Sequence, residues 1–389
     1  MISGKIASQV KRVRKVPPNV QRVLFVKSGG RCEFMGCNRD LFRHALTKAE
    51  GNFADIAHIV AFSPSGPRGS YPARPKDVHE PQNLMLLCRE CHKLVDDHPE
   101  RYPVSALKEY KRCHEKRIHH VTSLGPDMAT AIVQLKARIA GQAVDIPVAH
   151  VTTAIAPRYP IEIPGTVIDL THINDGDDSA YYKVATQEIR RKIERIYEPG
   201  SDVEKANHIS LFALAPIPLL IYLGSLLSNK IAVDPFQRHR NPEGWAWKRK
   251  GPPVEYTFRL RKRGGNNKRV ALVLSLSGPV DFETLPSSVQ TDFNVYEITL
   301  GNRTPSPNFL KKREDLDRFR DVYRESLDKI HVDHGALSEI HLFPAIPAPI
   351  AILCGRELQP KADPHLIVYD YDRAKGERYQ TLKIGRRKS

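Results

Sequence analysis

The sequence predicts a protein of two domains: a small α+β domain built around a metal, followed by a larger α/β domain with two similar halves. Two observations lead to this prediction. The first hundred residues contain two closely spaced cysteine pairs, and the C-terminal part contains an apolar segment that occurs twice. A chain of 389 residues is also too long for one comfortable hydrophobic core. We expect an N-terminal domain over 1–125, a helix-containing linker over 126–160 and a C-terminal domain over 161–389.

The net charge of +16 is concentrated in the N-terminal domain. Residues 1–125 contain 22 Lys and Arg residues against 12 Asp and Glu residues. Such an excess favours a polyanionic partner, and nucleic acid is the simplest one; a generic basic surface is the alternative.

The six cysteines are too few for a disulfide scaffold. We therefore expect a cytoplasmic protein, in a reducing compartment and with no membrane partner.

Two helices and a zinc site organise the N-terminal domain. Helices are predicted over 19–28, where Gly29 and Gly30 end the first one, and over 103–119. Between them, two cysteine pairs have the spacing of a zinc site: Cys32 with Cys37, and Cys88 with Cys91. Four thiolates complete the tetrahedral shell of zinc and leave no position for water. We therefore predict a structural zinc ion, and four buried free thiols are the alternative.

The same frame contains the residues that a metal-assisted phosphodiesterase needs. Such a reaction requires a base that activates water and a divalent ion that stabilises charge on the phosphate. We predict His58 as the base, since a histidine pKa lies near neutrality. Asp55 and His92 are the candidate ligands for catalytic Mg²⁺ or Mn²⁺. We expect Asn83 to fix the loop that bears His58. A single histidine in such an apolar strand would more often be a core residue.

Two further polar residues leave two interpretations open. Arg68 lies in the turn Gly66-Pro-Arg-Gly69. It either contacts a DNA phosphate, which is our prediction, or belongs to an ordinary turn. Asp96 lies four residues after His92 on a predicted helix, where it either orients that histidine or faces solvent.

An internal duplication organises the C-terminal domain. Residues 209–230 align without gaps on residues 340–361, with nine identities in 22 positions. Each copy predicts a buried strand, a proline-bearing turn and an apolar helix, followed by another strand. Alternating strands and helices predict parallel sheets covered on both faces, with a ligand at the carboxyl ends of the strands. Other strands are predicted over 166–171 and 269–277, and helices over 128–140, 181–197 and 308–330.

Residues 31–118 resemble an HNH endonuclease domain of the ββα-metal class. One position departs from that pattern. Many HNH enzymes have an acidic residue or a histidine directly before the base, whereas this chain has Ala57, so Asp55 is the nearest substitute. The motifs that carry the resemblance are Asp55-Ile-Ala-His58-Ile, Gly66-Pro-Arg-Gly69, Asn83-Leu-Met-Leu-Leu-Cys88-x-x-Cys91-His92 and Leu94-Val-Asp96.

Residues from about 160 to 380 resemble the SAVED domain, a fused pair of CARF-like Rossmann units that senses cyclic oligonucleotides. The carried motifs are the two Phe-x-x-x-Pro-x-Pro copies, Gln237-Arg-His-Arg240 and Trp245-Ala-Trp-Lys248. Together the two domains resemble the HNH–SAVED effector nucleases of CBASS anti-phage systems. The resemblance implies that a cyclic dinucleotide of the cGAMP type activates the nuclease, which then degrades double-stranded DNA with little sequence preference. We also expect the ligand to promote self-association into a homo-oligomer.

A cyclic dinucleotide has two phosphates and two flat bases, so its pocket needs cations and aromatic planes. We therefore predict a pocket that contains Arg238, Trp245, Trp247, Lys248 and Pro347. A basic surface loop with a core tryptophan is the alternative. For the whole chain, two other functions stay open. One is a modification-dependent restriction endonuclease, and the other is a non-catalytic zinc module that binds DNA beside a sensor domain.

Overall fold

The computed structural model describes residues 15–139, 141–173, 178–227, 229–359, 363–372 and 375–385. The chain forms two compact units, Met1–Leu124 and Gly125–Ser389. The segment predicted as a linker, 126–160, therefore belongs to the second unit. Within the described ranges, every helix is too short or too polar to cross a membrane.

The N-terminal unit is built on a two-stranded antiparallel sheet with helices around it. One strand, Leu84–Cys88, is buried along its whole length, and it pairs with Ala54–His58 so that His58 lies opposite Leu84. A helix begins directly after the buried strand, which gives the order strand, strand, helix expected from the sequence. The elements are α1 (Pro18–Ser28), β1 (Ala54–His58), β2 (Leu84–Cys88), α2 (Arg89–Asp97) and α3 (Val104–Thr122).

The C-terminal unit contains one sheet in each of its halves. The elements of the first half are β3 (Ala129–Lys136), β4 (Arg138–Ile139), β5 (Gln142–Ala143), α4 (Val148–Ile155), β6 (Tyr159–Pro160), β7 (Thr166–Asp169), α5 (Asp178–Arg195), α6 (Asp202–Ala206), β8 (His208–Leu214), α7 (Ile217–Leu226), β9 (Ala232–Phe236), β10 (His239–Arg240) and β11 (Glu243–Gly244). Those of the second half are β12 (Tyr256–Lys262), β13 (Val270–Ser275), α8 (Ser287–Asp292), β14 (Asn294–Leu300), α9 (Arg313–His334), β15 (Glu339–Ala345), α10 (Ala348–Arg356), β16 (His365–Asp372) and β17 (Glu377–Ile384).

The two sheets repeat one strand order, which confirms the duplication seen in the sequence. Four parallel strands run in the order β7-β3-β8-β9 in the first half and β14-β13-β15-β16 in the second. The second sheet is extended at its edges by the antiparallel strands β12 and β17. Strands β8 and β15 are the two copies of the repeated segment, and helices α7 and α10 follow them. The apolar stretch 209–227 is thus a buried strand followed by a buried helix, as predicted.

One predicted element is wrong. The sequence predicted a helix over 128–140, but this segment contains β3, which is the counterpart of β13 and pairs with β6, β7 and β8. The first seven of its eight residues are buried. A short, continuously apolar run has no amphipathic period, so the sequence cannot distinguish a strand covered on both faces from a buried helix.

Helices α7 and α10 cross at two equivalent glycines. A Cβ atom on Gly355 would overlap the carbonyl oxygen of Ile221, and a Cβ atom on Gly224 would overlap that of Ile352. Gly224 and Gly355 occupy equivalent positions in the two copies of the repeat, and so do Ile221 and Ile352. The two copies therefore pack against each other about a local two-fold relation, and one apolar core runs through both halves.

Candidate functional site

The four cysteines predicted to bind zinc converge. Their Sγ atoms all lie within 4.8 Å of one another, and those of Cys37 and Cys88 are 4.0 Å apart. Tetrahedral zinc with bonds of about 2.3 Å holds its sulfur ligands about 3.8 Å apart, so the donor set fits this metal. Burial raises the pKa of Cys32 to about 12. Its thiolate therefore requires a cation beside it, which zinc supplies.

Backbone hydrogen bonds join this cluster to the sheet. The N–H of Cys88 donates to the Sγ atom of Cys32 at 3.3 Å. Glu33 and Leu86 are joined by two hydrogen bonds. The N–H of Glu33 donates to the carbonyl oxygen of Leu86 at 2.9 Å, and the N–H of Leu86 donates to the carboxylate of Glu33 at 2.5 Å. The cysteine cluster is therefore attached to β2. Helix α2 follows β2 directly and carries His92 in its first turn.

The side chain of His92 lies between two carboxylates. Its Nδ1 atom is 3.2 Å from Oδ2 of Asp55, and its Nε2 atom is 3.4 Å from Oδ2 of Asp96. The hydrogen bond with Asp96 raises the pKa of His92, and the bond with Asp55 adds to this effect. Two ligands that bind one ion at about 2.1 Å and at right angles lie about 3 Å apart. Asp55 and His92 therefore fit a shared Mg²⁺ or Mn²⁺ ion, while Asp96 holds the far side of the ring.

Asn83 fixes the chain just beyond β1. It lies in a single 3₁₀ turn, Pro81–Asn83, and it is buried. Its Oδ1 atom accepts the N–H of Val60 at 2.9 Å, and its Nδ2 atom donates to the carbonyl oxygens of Val60 and Val78 at 3.0 and 2.9 Å. Its own carbonyl oxygen accepts the N–H of Ile59 at 2.7 Å. Asn83 thus holds the segment that directly follows His58 by three hydrogen bonds, and the fourth joins Asn83 to Val78.

His58 ends β1 and meets a second histidine. Its Nε2 atom lies 3.3 Å from Nδ1 of His79. The pKa of His58 is lowered to about 4, chiefly by burial and in addition by the neighbouring His79 and His92. His58 is therefore neutral at pH 7 and keeps a lone pair that can accept a proton. His79 was not predicted as a site residue, because no spacing rule connects it to His58. The only available signal was an unassigned histidine between the cysteine pairs.

The prediction that Arg68 contacts DNA is wrong, because this side chain is turned inward. It is only 4% exposed. Its guanidinium donates to the carbonyl oxygens of Ile59 and Val95, at 2.7 and 2.5 Å, and to Oδ1 of Asp96 at 2.7 Å. Arg68 therefore joins the end of β1 to α2 and holds the carboxylate that contacts His92.

A first cavity of the C-terminal unit lies at the carboxyl ends of the parallel strands. It has a volume of about 670 Å³, and its wall includes Leu214, Ser277 and Ile346, which lie at or just beyond the ends of β8, β13 and β15. Ile217 and Ala348, the first residues of α7 and α10, also line it. Open α/β sheets bind ligands at this position, and here both halves contribute.

A second cavity, of about 570 Å³, adjoins the first and shares Arg238 and Arg240 with it. Its described lining includes no Asp or Glu residue, so it suits an anionic ligand. Of the predicted pocket residues, Arg238 lines both cavities, Lys248 lines the second and Pro347 lines the first. The cations in the wall of the second cavity are Arg238, Arg240, Lys248, Arg249, Lys250 and Lys311.

Comparisons with known proteins agree with these two units. Residues 189–384 match the family model of SAVED, described as the SMODS-associated and fused to various effectors sensor domain. The chain belongs to the SAVED family. Residues 32–99 match the model of an HNH endonuclease. The N-terminal unit thus contains an HNH endonuclease domain.

Among solved structures, the chain is similar to the Acinetobacter baumannii Cap4 SAVED/CARF-domain containing receptor with the cyclic trinucleotide 3'3'3'-cAAA. The identity is 13% and the TM-score 0.45, over 77% of this chain and 63% of that receptor. It is also similar to the Moraxella osloensis Cap4 SAVED/CARF-domain containing receptor, with an identity of 11% and a TM-score of 0.41, over 76% of this chain and 60% of that receptor. The chain thus spans about three-fifths of the length of these receptors. No curated protein matches it.

The SAVED unit uses its two tryptophans differently from the prediction. Trp245 is 2% exposed and packs in the core, with its ring 5.4 Å from that of Phe212. It lines neither cavity, so the prediction that it stacks on a ligand is wrong. Trp247 is partly buried against the same core and also lies outside the lining of both cavities. Three cations and two tryptophans lie within the eleven residues 238–248, and the sequence alone does not show which of these side chains line the pocket and which pack in the core.

Several buried polar atoms of the SAVED unit have no hydrogen-bond partner among the described residues, and three of them lie in the segment 237–247: Oε1 of Gln237, Nε2 of His239 and Nε1 of Trp247. Gln237 lines both cavities and His239 lines the second. A buried polar atom without a partner is costly. These atoms therefore mark a place where a ligand or water completes the hydrogen bonding. Neither Gln237 nor His239 was among the predicted pocket residues.

Proposed function

We propose that this protein is a DNA endonuclease activated by a cyclic dinucleotide, and that it acts as the effector of a CBASS anti-phage system. One observation carries the proposal. A single chain combines an HNH domain that contains His58, Asp55 and His92 and a SAVED cavity with a strongly cationic wall. Degradation of double-stranded DNA follows as the reaction, because the nuclease domain carries most of the net positive charge of the chain.

In the nuclease site, each residue has a separate task. His58 accepts the proton of the attacking water, since it is neutral at pH 7. Asp55 and His92 would hold Mg²⁺ or Mn²⁺, which supplies charge stabilisation on the phosphate oxygens when bound. Asn83 keeps the chain beyond His58 in a fixed position. The zinc-binding cysteines take no part in the reaction, and their role is to place His92.

In the sensor, the first cavity offers each half of a cyclic dinucleotide a similar environment. Helices α7 and α10 both begin at this cavity, and helix N-termini favour phosphate groups. Arg238 and Arg240 add positive charge, while the unpartnered atoms of Gln237 and, in the adjoining second cavity, of His239 can bond to base edges. Two helix ends related by a local two-fold suit a ligand with two phosphates.

Activation requires that the ligand bind two states of the protein with different affinity. We propose that the second state is a homo-oligomer, in which SAVED units brought together by ligand align pairs of nuclease domains on a duplex. Sedimentation with and without ligand tests this step. A constant mass while activity rises would overturn assembly and leave the nuclease proposal intact.

The test of the function is plasmid cleavage with Mg²⁺ across a panel of cyclic di- and trinucleotides. We expect one cyclic dinucleotide to switch on cleavage. His58→Ala should then lower the rate roughly a hundredfold or more, the usual cost of losing a general base, while zinc content and DNA binding stay the same. A variant that keeps more than about a tenth of the wild-type rate excludes His58 as the base. Absence of any response to the panel, with no ligand bound by the SAVED unit, would overturn the sensor assignment.

A further inference from the structure

A groove of about 330 Å³ in the nuclease domain adjoins the residue proposed to hold the catalytic ion. It lies between the segment 39–55 and the beginning of α2, and Asp55 forms part of its wall. Two arginines, Arg43 on the loop and Arg89 at the first position of α2, line it as well. Neither the zinc cluster nor the proposed chemistry uses these arginines.

Three arginines and three carboxylates line this groove, but each carboxylate has a partner of its own. Glu90 pairs with Arg39 at 2.6 Å, Asp55 contacts His92 at 3.2 Å, and Asp40 accepts the N–H of Phe42 at 3.0 Å. By contrast, Arg43 and Arg89 are exposed, and neither side chain has a hydrogen-bond or ion-pair partner among the described residues. Two free guanidinium groups therefore point to an anionic ligand with more than one charge.

A flat side chain accompanies these cations. Phe53 lines the groove and is 44% exposed, and its ring lies 5.5 Å from that of His44. An exposed aromatic ring beside free arginines is the combination with which proteins bind nucleic-acid strands, since phosphates take the cations and sugars or bases contact the ring.

We propose that this groove binds one strand of DNA next to the scissile phosphodiester, with Arg43 and Arg89 each neutralising a backbone phosphate. The inference rests on the proposed nuclease function and deepens it by naming substrate-binding residues. Phosphate contacts carry no sequence information. A groove that binds the strand through its phosphates therefore accounts for cleavage with little sequence preference.

The experiment measures binding of a fluorescein-labelled DNA duplex by the full-length, zinc-loaded protein without added Mg²⁺, over about 50–300 mM NaCl. Each phosphate contact contributes roughly 0.9 to the slope of log affinity against log salt. Arg43→Gln and Arg89→Gln should each lower the slope by about that amount and weaken binding about eightfold at 0.1 M salt. Lys108→Gln and Lys116→Gln are the matched controls, since both lysines are exposed on α3 and outside the groove.

Both arginine variants should fold, because these side chains have no internal partners, and their zinc content checks this. If the arginine variants give the same salt-dependence slopes as the lysine controls, the proposal that this groove binds DNA is wrong. A wild-type protein that binds no duplex would also overturn it. The cleavage assay decides the nuclease proposal separately. A protein that binds DNA through this groove and never cuts it would overturn that proposal and leave the groove standing.

Discussion

The nuclease domain and the SAVED unit are stabilised in different ways. The nuclease domain has a sheet of two five-residue strands, and polar groups hold it together: a four-cysteine cluster, Asn83 and Arg68. The SAVED unit has two parallel sheets and one apolar core through both halves. The nuclease domain also has an apolar core, but this core is smaller than that of the SAVED unit. We therefore expect the smaller unit to depend more on its metal and the larger one to depend on packing.

This difference matters for function because the smaller unit performs the chemistry. The groups that stabilise the nuclease domain also position His58 and His92, so stability and catalysis are coupled there. In the SAVED unit, the crossing of α7 and α10 lies within the core, whereas the cationic wall lies in segments beyond the strand ends. Changes in that wall can alter the ligand without altering the fold. The following substitutions test this contrast.

Cys88→Ser should have the largest effect and should act on one unit only. Metal binding is folding energy in small zinc domains, on the order of 10 kcal/mol or more. We expect loss of zinc and of the nuclease fold, while the SAVED unit still binds its ligand. Metal analysis and ligand titration measure the two outcomes. The control is Cys113→Ser, at an exposed cysteine on α3. If the Cys88→Ser protein is active and binds one zinc ion per chain, Cys88 is not needed for the zinc site or for the nuclease fold.

Trp245→Ala should destabilise the SAVED unit by about 3–5 kcal/mol, the usual cost of deleting a large buried aromatic side chain. The nuclease domain should keep its zinc. Urea unfolding, together with ligand affinity measured where the variant is folded, separates core from pocket. If stability is unchanged and ligand binding is lost, Trp245 is a pocket residue after all. Trp247→Ala, at the partly buried tryptophan, should cost less.

Gly355→Ala tests the crossing of the two copies. The added methyl group would meet the backbone of Ile221, and relieving this overlap requires the helices to separate. We expect the free energy of unfolding of the SAVED unit to fall by about 3 kcal/mol. Gly265→Ala is the matched control, because a Cβ atom there meets nothing within 4 Å. Equal stability of the two variants would show that the crossing is not a tight contact.

Arg68→Gln should have the smallest effect on stability and a specific effect on the metal. Its lost hydrogen bonds, one of them to Asp96, should cost about 2 kcal/mol. Because Asp96 contacts His92, the Mg²⁺ concentration for half-maximal cleavage should rise about tenfold.

Arg74→Gln is the control for the same loop. Arg74 donates to the carbonyl oxygens of Gly69 and Phe62, at 3.1 and 2.7 Å, and has no carboxylate partner among the described residues. We expect a loss of stability without a change in Mg²⁺ requirement. If both variants, or neither, raise that requirement, Arg68 does not act through Asp96.

The sequence alone determined the features whose signals are local or repeated. The spacing of Cys32, Cys37, Cys88 and Cys91 indicated a zinc cluster, since metal geometry demands few arrangements of ligands. The duplication indicated two equivalent strand–helix units, because two segments with similar sequences are expected to adopt the same fold. In both cases the chemistry of the residues and their separation along the chain were sufficient.

The tertiary structure alone decided which way ambiguous side chains and segments turn. The segment 128–140 forms β3 because neighbouring strands pair with it on both sides. Arg68 faces inward because β1 and α2 bring two carbonyl oxygens and a carboxylate within its reach, and Trp245 lies in the core because Phe212 packs against it. Residue type limits what a side chain can do. Whether it meets water, a ligand or the core depends on elements distant in sequence, and only their packing supplies that information.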